Sequence, residues 1–197
     1  MSGPESCRAS DAPGGITCAP VAADVIELAA RRERIQVLKA LTARRGLPLP
    51  ALGWVAAART TLVLGVRPER WLLLSAPAPP GVALSSWRSA CTGCAAAIEL
   101  SSALSVLQLA GPAVLDVLAR GCRLDLHSSV FAPGRTAATS MAQVPVVLAA
   151  LPSGWLLLTP SSTARHFSEW LAATAAPFGL VSGAAVTLAS LCGESTP

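Results

Sequence analysis

Tyrosine is absent from this 197-residue chain, phenylalanine occurs three times, histidine twice, and only 13% of residues are charged. Each scarcity closes off a class of function. With so few rings, a stacking platform for single-stranded nucleic acid is not expected. The formal charge is +4, but fourteen of the fifteen cations are arginine, and they are scattered outside the cluster Arg31, Arg32 and Arg34 and the pair Arg44–Arg45. No basic stripe with interleaved aromatics results, so nucleic acid is not an expected partner. A catalytic nucleophile needs a base within hydrogen-bond reach. Only His127 and His166 offer an imidazole, and Cys122 is the one thiol near His127 in sequence. Glu99, Asp116, Asp125 and Glu169 are too dispersed for an acid–base pair. No glycine-rich phosphate loop is present, so neither a catalytic residue nor a cofactor-binding residue is expected in this chain.

Apolar residues, in contrast, make up 52% of the chain and the mean hydropathy is +0.55. A membrane span is the first reading to test. The two long uncharged stretches, 136–164 and 170–193, are broken by Pro145, Pro152, Pro160 and Pro177 and by several glycines. Neither offers roughly 20 strongly apolar residues in a row, so no membrane segment is expected. The polar segment 1–15 has no apolar core and does not read as a signal peptide. Burial against partner subunits accounts better for the apolar excess. Of the six cysteines only Cys91 and Cys94 have metal-like spacing, and no second pair follows. A metal site is therefore not expected, and free thiols in a reducing cytoplasm are.

Comparison of the chain with itself is more informative. Residues 61–75 read TLVLGVRPERWLLLS and residues 145–159 read PVVLAALPSGWLLLT. At an offset of 84, Val63, Leu64, Pro68, Trp71 and Leu72–Leu74 recur as Val147, Leu148, Pro152, Trp155 and Leu156–Leu158. Two apolar runs around a proline turn make a hairpin, and their near-continuous apolarity implies a sheet covered on both faces. The flanks repeat too. Val25–Leu28 and Val106–Leu109 read as strands before the hairpins. A helix over 34–43, with Ile35, Leu38 and Leu41 inward, ends at Gly46. A second starts at Pro112, buries Val114, Leu115 and Leu118, pairs Asp116 with Arg120 and closes at Gly121. After the hairpins, Ser85–Ser86 and Ser161–Ser162 read as helix N-caps, the latter ahead of Phe167, Trp170, Leu171 and Ala175. Each half thus reads strand–helix–hairpin–helix, a ferredoxin-like unit. The expectation is an α+β domain made by duplication, spanning 16–180 with halves 16–97 and 98–180, a joint core, and tails at 1–15 and 181–197.

Between the halves' regular elements, the alternation of Leu124 and Leu126 with Arg123, Asp125 and His127 reads as a strand edge with one polar side. Arg135, after Phe131-Ala-Pro-Gly134, is the best single candidate for holding an anion or a partner's carboxylate. Arg123, Asp125, His127 and Arg135 are therefore the candidate partner-interface residues.

The run LQLAGPAVLDVLARGCRLDLHSSVFAPGRTAATSMAQVPVVL, then GWLLLTPSSTARHFSEWLAATAAPFG, resembles the gamma subunits of heterotetrameric sarcosine oxidases, and LGVRPERWLLL resembles their N-terminal hairpin. The likeness covers about 16–180, with departures at Glu99, Arg123 and Pro160. It implies a fold similar to the first domain of folate-binding aminomethyltransferases (the glycine cleavage T-protein group). It also implies assembly with alpha, beta and delta subunits. Such a complex oxidatively demethylates sarcosine to glycine, producing hydrogen peroxide and passing the one-carbon unit to tetrahydrofolate or releasing formaldehyde. FAD, FMN, NAD, zinc and tetrahydrofolate would belong to other subunits, and this chain would be a structural, non-catalytic member. Alternatives are a stand-alone folate-binding one-carbon module, or a gamma-type subunit of a related N-methyl amino acid oxidase or dehydrogenase.

Overall fold

The computed structural model describes residues 15–192. Two antiparallel-rich sheets lie face to face, and each carries helices on its outer side. In the first half, β2 (Asp24–Ala30), α1 (Ile35–Arg44), β3 (Val55–Ala58), β4 (Thr61–Arg67), β5 (Arg70–Ser75), α2 (Val82–Ala90) and β6 (Ala95–Glu99) follow one another. In the second, β7 (Leu104–Ala110), α3 (Val114–Ala119), β8 (Thr136–Met141), β9 (Val144–Leu151), β10 (Gly154–Pro160) and α4 (Ala164–Ala175) repeat that plan. The expected strand–helix–hairpin–helix units are therefore present, each with a short extra strand, β3 or β8, ahead of its hairpin.

The halves are not closed units. The five-stranded sheet runs β3-β4-β5-β2-β6, so the first half supplies its own strand beside β2. The corresponding place beside β7 is filled by β1 (Ile16–Pro20) from the start of the domain, with β11 (Leu180–Ser182) parallel to it at the edge. Segment 1–14 of the expected N-terminal tail lies outside the described residues. After residue 180, where a tail is expected, the chain instead adds β11 and α5 (Leu188–Leu191), whose Leu188 and Leu191 are buried.

Three apolar cores stack through the molecule. The joint core lies between the sheets and unites Leu62, Leu64, Leu72 and Leu74 with Ala149, Leu151, Leu156 and Leu158. Outside the five-stranded sheet, Val63, Trp71 and Leu73 pack against Leu38 of α1 and Trp87 of α2. Outside the six-stranded sheet, Val146, Leu148 and Leu157 meet Val117 of α3 and Phe167 of α4. Both faces of each sheet are covered, as the unbroken apolar runs require.

Several local expectations need correction. The hairpin turns, expected to be four to five residues, are only two residues long, Pro68–Glu69 and Pro152–Ser153. Ser85 and Ser86 lie inside α2, which starts after Gly81, and Ser85 Oγ donates to the Val82 carbonyl. Ser161 caps no helix. It opens a 3-10 turn ahead of α4, and its hydroxyl donates to the Ser102 carbonyl at 2.9 Å, tying the hairpin end to the segment joining the halves. In α3 the buried face is Val114, Val117 and Leu118, the i, i+3, i+4 set, and Leu115 points outward at 39% exposure. Arg120 does not pair with Asp116. Its guanidinium lies 4.9 Å above the Phe178 ring instead. Gly121 follows the helix because a Cβ there would stand 2.4 Å from the Trp170 ring.

Candidate functional site

The four interface candidates lie on the long connection between α3 and β8. Residues 123–127 are not a strand edge: the connection's β-bridges are at its two ends, Cys122 to Met141 and Arg135 to Trp54, and Leu126 turns inward while Leu124 stays 38% exposed. Its tip is built by short-range hydrogen bonds. The Asp125 carboxylate accepts from the His127 backbone N–H at 2.9 Å, a local turn typical of Asp. The His127 ring nitrogen Nδ1 lies 2.7 Å from Ser129 Oγ, and the His127 carbonyl accepts from the N–H groups of Val130 and Phe131. Phe131 then anchors the return, buried and stacked on Trp155 at 5.5 Å. Asp125 and His127 are thus exposed on an ordered tip, and Cys122 is not among the partners of His127.

Arg123 and Arg135 are brought to opposite ends of β8. That separation is about 17 Å for a six-residue strand. Arg135 sits at the seam between the halves. Its backbone bridges to Trp54, the Thr136 N–H donates to Gly53 O, and its own carbonyl accepts from Ala150. The guanidinium carbon stands 4.5 Å above the Trp54 ring, and Arg135 Nε is buried with no hydrogen-bond partner. Around it Leu52 and Trp54 are 57% and 47% exposed. A buried guanidinium N–H without an acceptor is costly. Leu52 and Trp54 escape sequence reasoning because they fall outside the repeat, and nothing local marks residue 135 as the neighbour of residue 54.

Arg123, at the other end, shares a cleft of about 540 Å³ with Arg120, Thr139, Ser140, Gln143 and Trp170. A second concavity, about 690 Å³, lies on the outer helices between Val37, Ala40, Leu41, Arg44 and Arg45, where Arg45 stacks over Trp87. Among the described residues no group of three or more His, Cys, Asp or Glu side chains could hold a metal ion. Cys91 and Cys94 are buried free thiols, with Cys94 Sγ donating to the Cys91 carbonyl. Burial, reinforced by the neighbouring Cys94, pushes the Cys91 thiol up to about 11, which makes it a poor nucleophile at neutral pH. No described helix is long and apolar enough to cross a membrane.

Comparison with known proteins adds to this geometry. The sarcosine oxidase, gamma subunit family model matches residues 34–177. Gamma subunits of sarcosine oxidase from Arthrobacter sp and Corynebacterium sp. (strain U-96) are 37% and 36% identical over 137 residues. Those alignments take in 67% of this chain and 66% and 65% of the relatives, just under two thirds of their length. Among solved structures, heterotetrameric sarcosine oxidase from Corynebacterium sp. U-96 in complex with pyrrole 2-carboxylate has a chain 32% identical, with TM-score 0.74. The match covers 84% of this chain and 86% of that one. The glycine cleavage system aminomethyltransferase T from Bartonella henselae matches at TM-score 0.62 and 14% identity, over 92% of this chain and 51% of that one. At that identity the likeness is one of fold, the duplicated α+β fold expected from the sequence.

Proposed function

Since the chain belongs to the sarcosine oxidase gamma subunit family, we propose that it is a structural and assembly subunit of a cytoplasmic heterotetrameric sarcosine oxidase. Its partners are the alpha, beta and delta subunits. The whole complex oxidatively demethylates sarcosine to glycine, yields hydrogen peroxide, and passes the one-carbon unit to tetrahydrofolate or releases it as formaldehyde. FAD, FMN, NAD, zinc and tetrahydrofolate sit on other subunits, and no step of the reaction is assigned to residues of this chain. Its contribution is to present a surface that a partner completes.

The observation that carries this reading is Arg135, with Nε buried and unpaired beside the exposed Leu52 and Trp54. Trp and Arg are the residue types that dominate interface energetics, and an arginine already stacked on an indole has its fork held ready for a carboxylate. Arg123, Asp125 and His127, on the same connection, extend the contact. Arg135→Ala and Trp54→Ala, co-produced with the partner subunits of the same host, test it. Each substitution is expected to lower assembly affinity by about 2 kcal/mol, roughly 30-fold. The melting temperature of the separate Arg135→Ala chain should barely change, because the lost stack on Trp54 is offset by removal of a buried unpaired N–H. Full assembly of both variants would sink the reading.

A further inference from the structure

We propose that the cleft between the end of α3, the β8–β9 turn and α4 is a binding site for a phosphate-bearing small molecule. The phosphate is held by Arg120 and Arg123, and a planar group beyond it lies on Trp170. The site stands at the opposite end of β8 from Arg135 and shares only Arg123 with the candidate interface residues.

Charge comes first. Arg120 and Arg123 both line the cleft and no carboxylate does. The ion pairs among the described residues use Arg32, Arg70 and Arg165, so neither cleft arginine is neutralised. The two nearest acids in sequence, Asp116 and Asp125, neither line the cleft nor form an ion pair with its arginines. Phe178 fixes the plane of the Arg120 guanidinium from one side.

The walls are built rather than incidental. Gly121 brings the backbone so close to Trp170 that a Cβ would be 2.4 Å from the indole and 3.0 Å from Met141 Cγ. The Gly121 carbonyl accepts from the Ala142 N–H at 3.3 Å, fastening the β8–β9 turn to the cleft floor. That turn is strained. Ala142 and Gln143 both take left-handed backbone, φ 50° and 65°, where a two-residue hairpin ordinarily carries Asn-Gly. Glycine at 143 would relax the backbone but remove an amide from the rim.

The donors fit a tetrahedral oxyanion better than a carboxylate. Two guanidinium forks, the Thr139 and Ser140 hydroxyls and the Gln143 amide offer more N–H and O–H groups than two carboxylate oxygens can accept. The volume, about 540 Å³, is that of a small-molecule site and far exceeds one phosphate, leaving Trp170 for a ring.

The test is a melting-temperature and calorimetric titration of the full chain, separate or in its recovered complex, with inorganic phosphate, phenyl phosphate and benzoate at constant ionic strength. Saturable binding of phosphate, at least tenfold tighter binding of phenyl phosphate, and no saturable binding of benzoate are expected. Arg123→Gln, at an exposed position that does not threaten folding, and Arg120→Gln should each weaken phenyl phosphate at least tenfold. Gln143→Gly should weaken it about threefold while raising the melting temperature. Absence of saturable binding, benzoate binding as tightly as phenyl phosphate, or affinity surviving both arginine substitutions would overturn the proposal.

Discussion

The two hairpins look like copies in sequence and differ by one residue in space. In β9–β10, Ala150 faces Trp155 and Leu151 faces Gly154 without a break. In β4–β5, Gly65 faces Trp71 but Arg67 faces Arg70, so Val66 is an extra residue, a β-bulge. The second strands and the turns keep the offset of 84, and Leu73 and Leu157 both point to helices. The first strands do not. Val63 faces α1 and α2, whereas Val147 lies against the joint core, and Leu64 is in the joint core whereas Leu148 meets α4. The true counterpart of Leu64 is Ala149, one residue further along. A one-residue shift in a strand exchanges its faces, and here both faces are apolar, so the exchange leaves no trace in hydropathy.

Deleting Val66 erases the difference. Gly65 stays opposite Trp71 and Arg67 opposite Arg70, so β4 takes the unbulged form of β9 with Leu62 and Leu64 still in the joint core. Folded chain should be recovered, with a loss of about 3 kcal/mol in urea unfolding for the buried Val66 side chain. Next comes Leu191→Ala. Leu191 is 3% exposed on α5, which packs against β4, so the C-terminal segment covers the hairpin of the first half. Its truncation should cost about 3 kcal/mol in urea unfolding, against nearly nothing if residues after 180 were a tail. Position 65 sharpens the contrast further. A Cβ on Gly65 would stand 2.4 Å from the Ala51 carbonyl oxygen, so Gly65→Ala should cost about 2 kcal/mol. The converse change at its counterpart, Ala150→Gly, should cost only about 1 kcal/mol.

The smallest effect separates the outer layers. Cys91 under the first sheet has its thiol raised to about 11 from an ordinary 9.0, chiefly by burial. A group raised on folding contributes stability that is whole below the unfolded value and is lost as pH climbs through the folded one. The unfolding midpoint should therefore fall between pH 9 and 11, and Cys91→Ala should flatten part of that fall. Tyrosine is absent and lysine single, so the competing groups there are mainly the other five cysteines, of which Cys18 is also raised by burial.

The legible parts of the fold are those where one face alone is apolar. Leu38 in α1 and Phe167, Leu171 and Ala175 in α4 sit inward as helical spacing demands. The bulge was illegible for the reason above. So was the placing of β1 beside β7, because strand partners far apart in sequence leave no local signal. Alternation misled at Leu124–Leu126, where two leucines spaced by two belong to a turn-rich connection and only one is buried. At the site, Arg135 is legible as the arginine that follows Phe131-Ala-Pro-Gly134. Trp54 did not, since its meaning comes from a neighbour 81 positions away across the seam.

The central claim is that this chain is the gamma subunit of a larger oxidase. It is tested most directly by recovering the tagged chain from its native host and identifying what comes with it. The account predicts three co-purifying chains, flavin absorbance and sarcosine-dependent hydrogen peroxide. A colourless chain recovered alone, stable and binding folate, would contradict it.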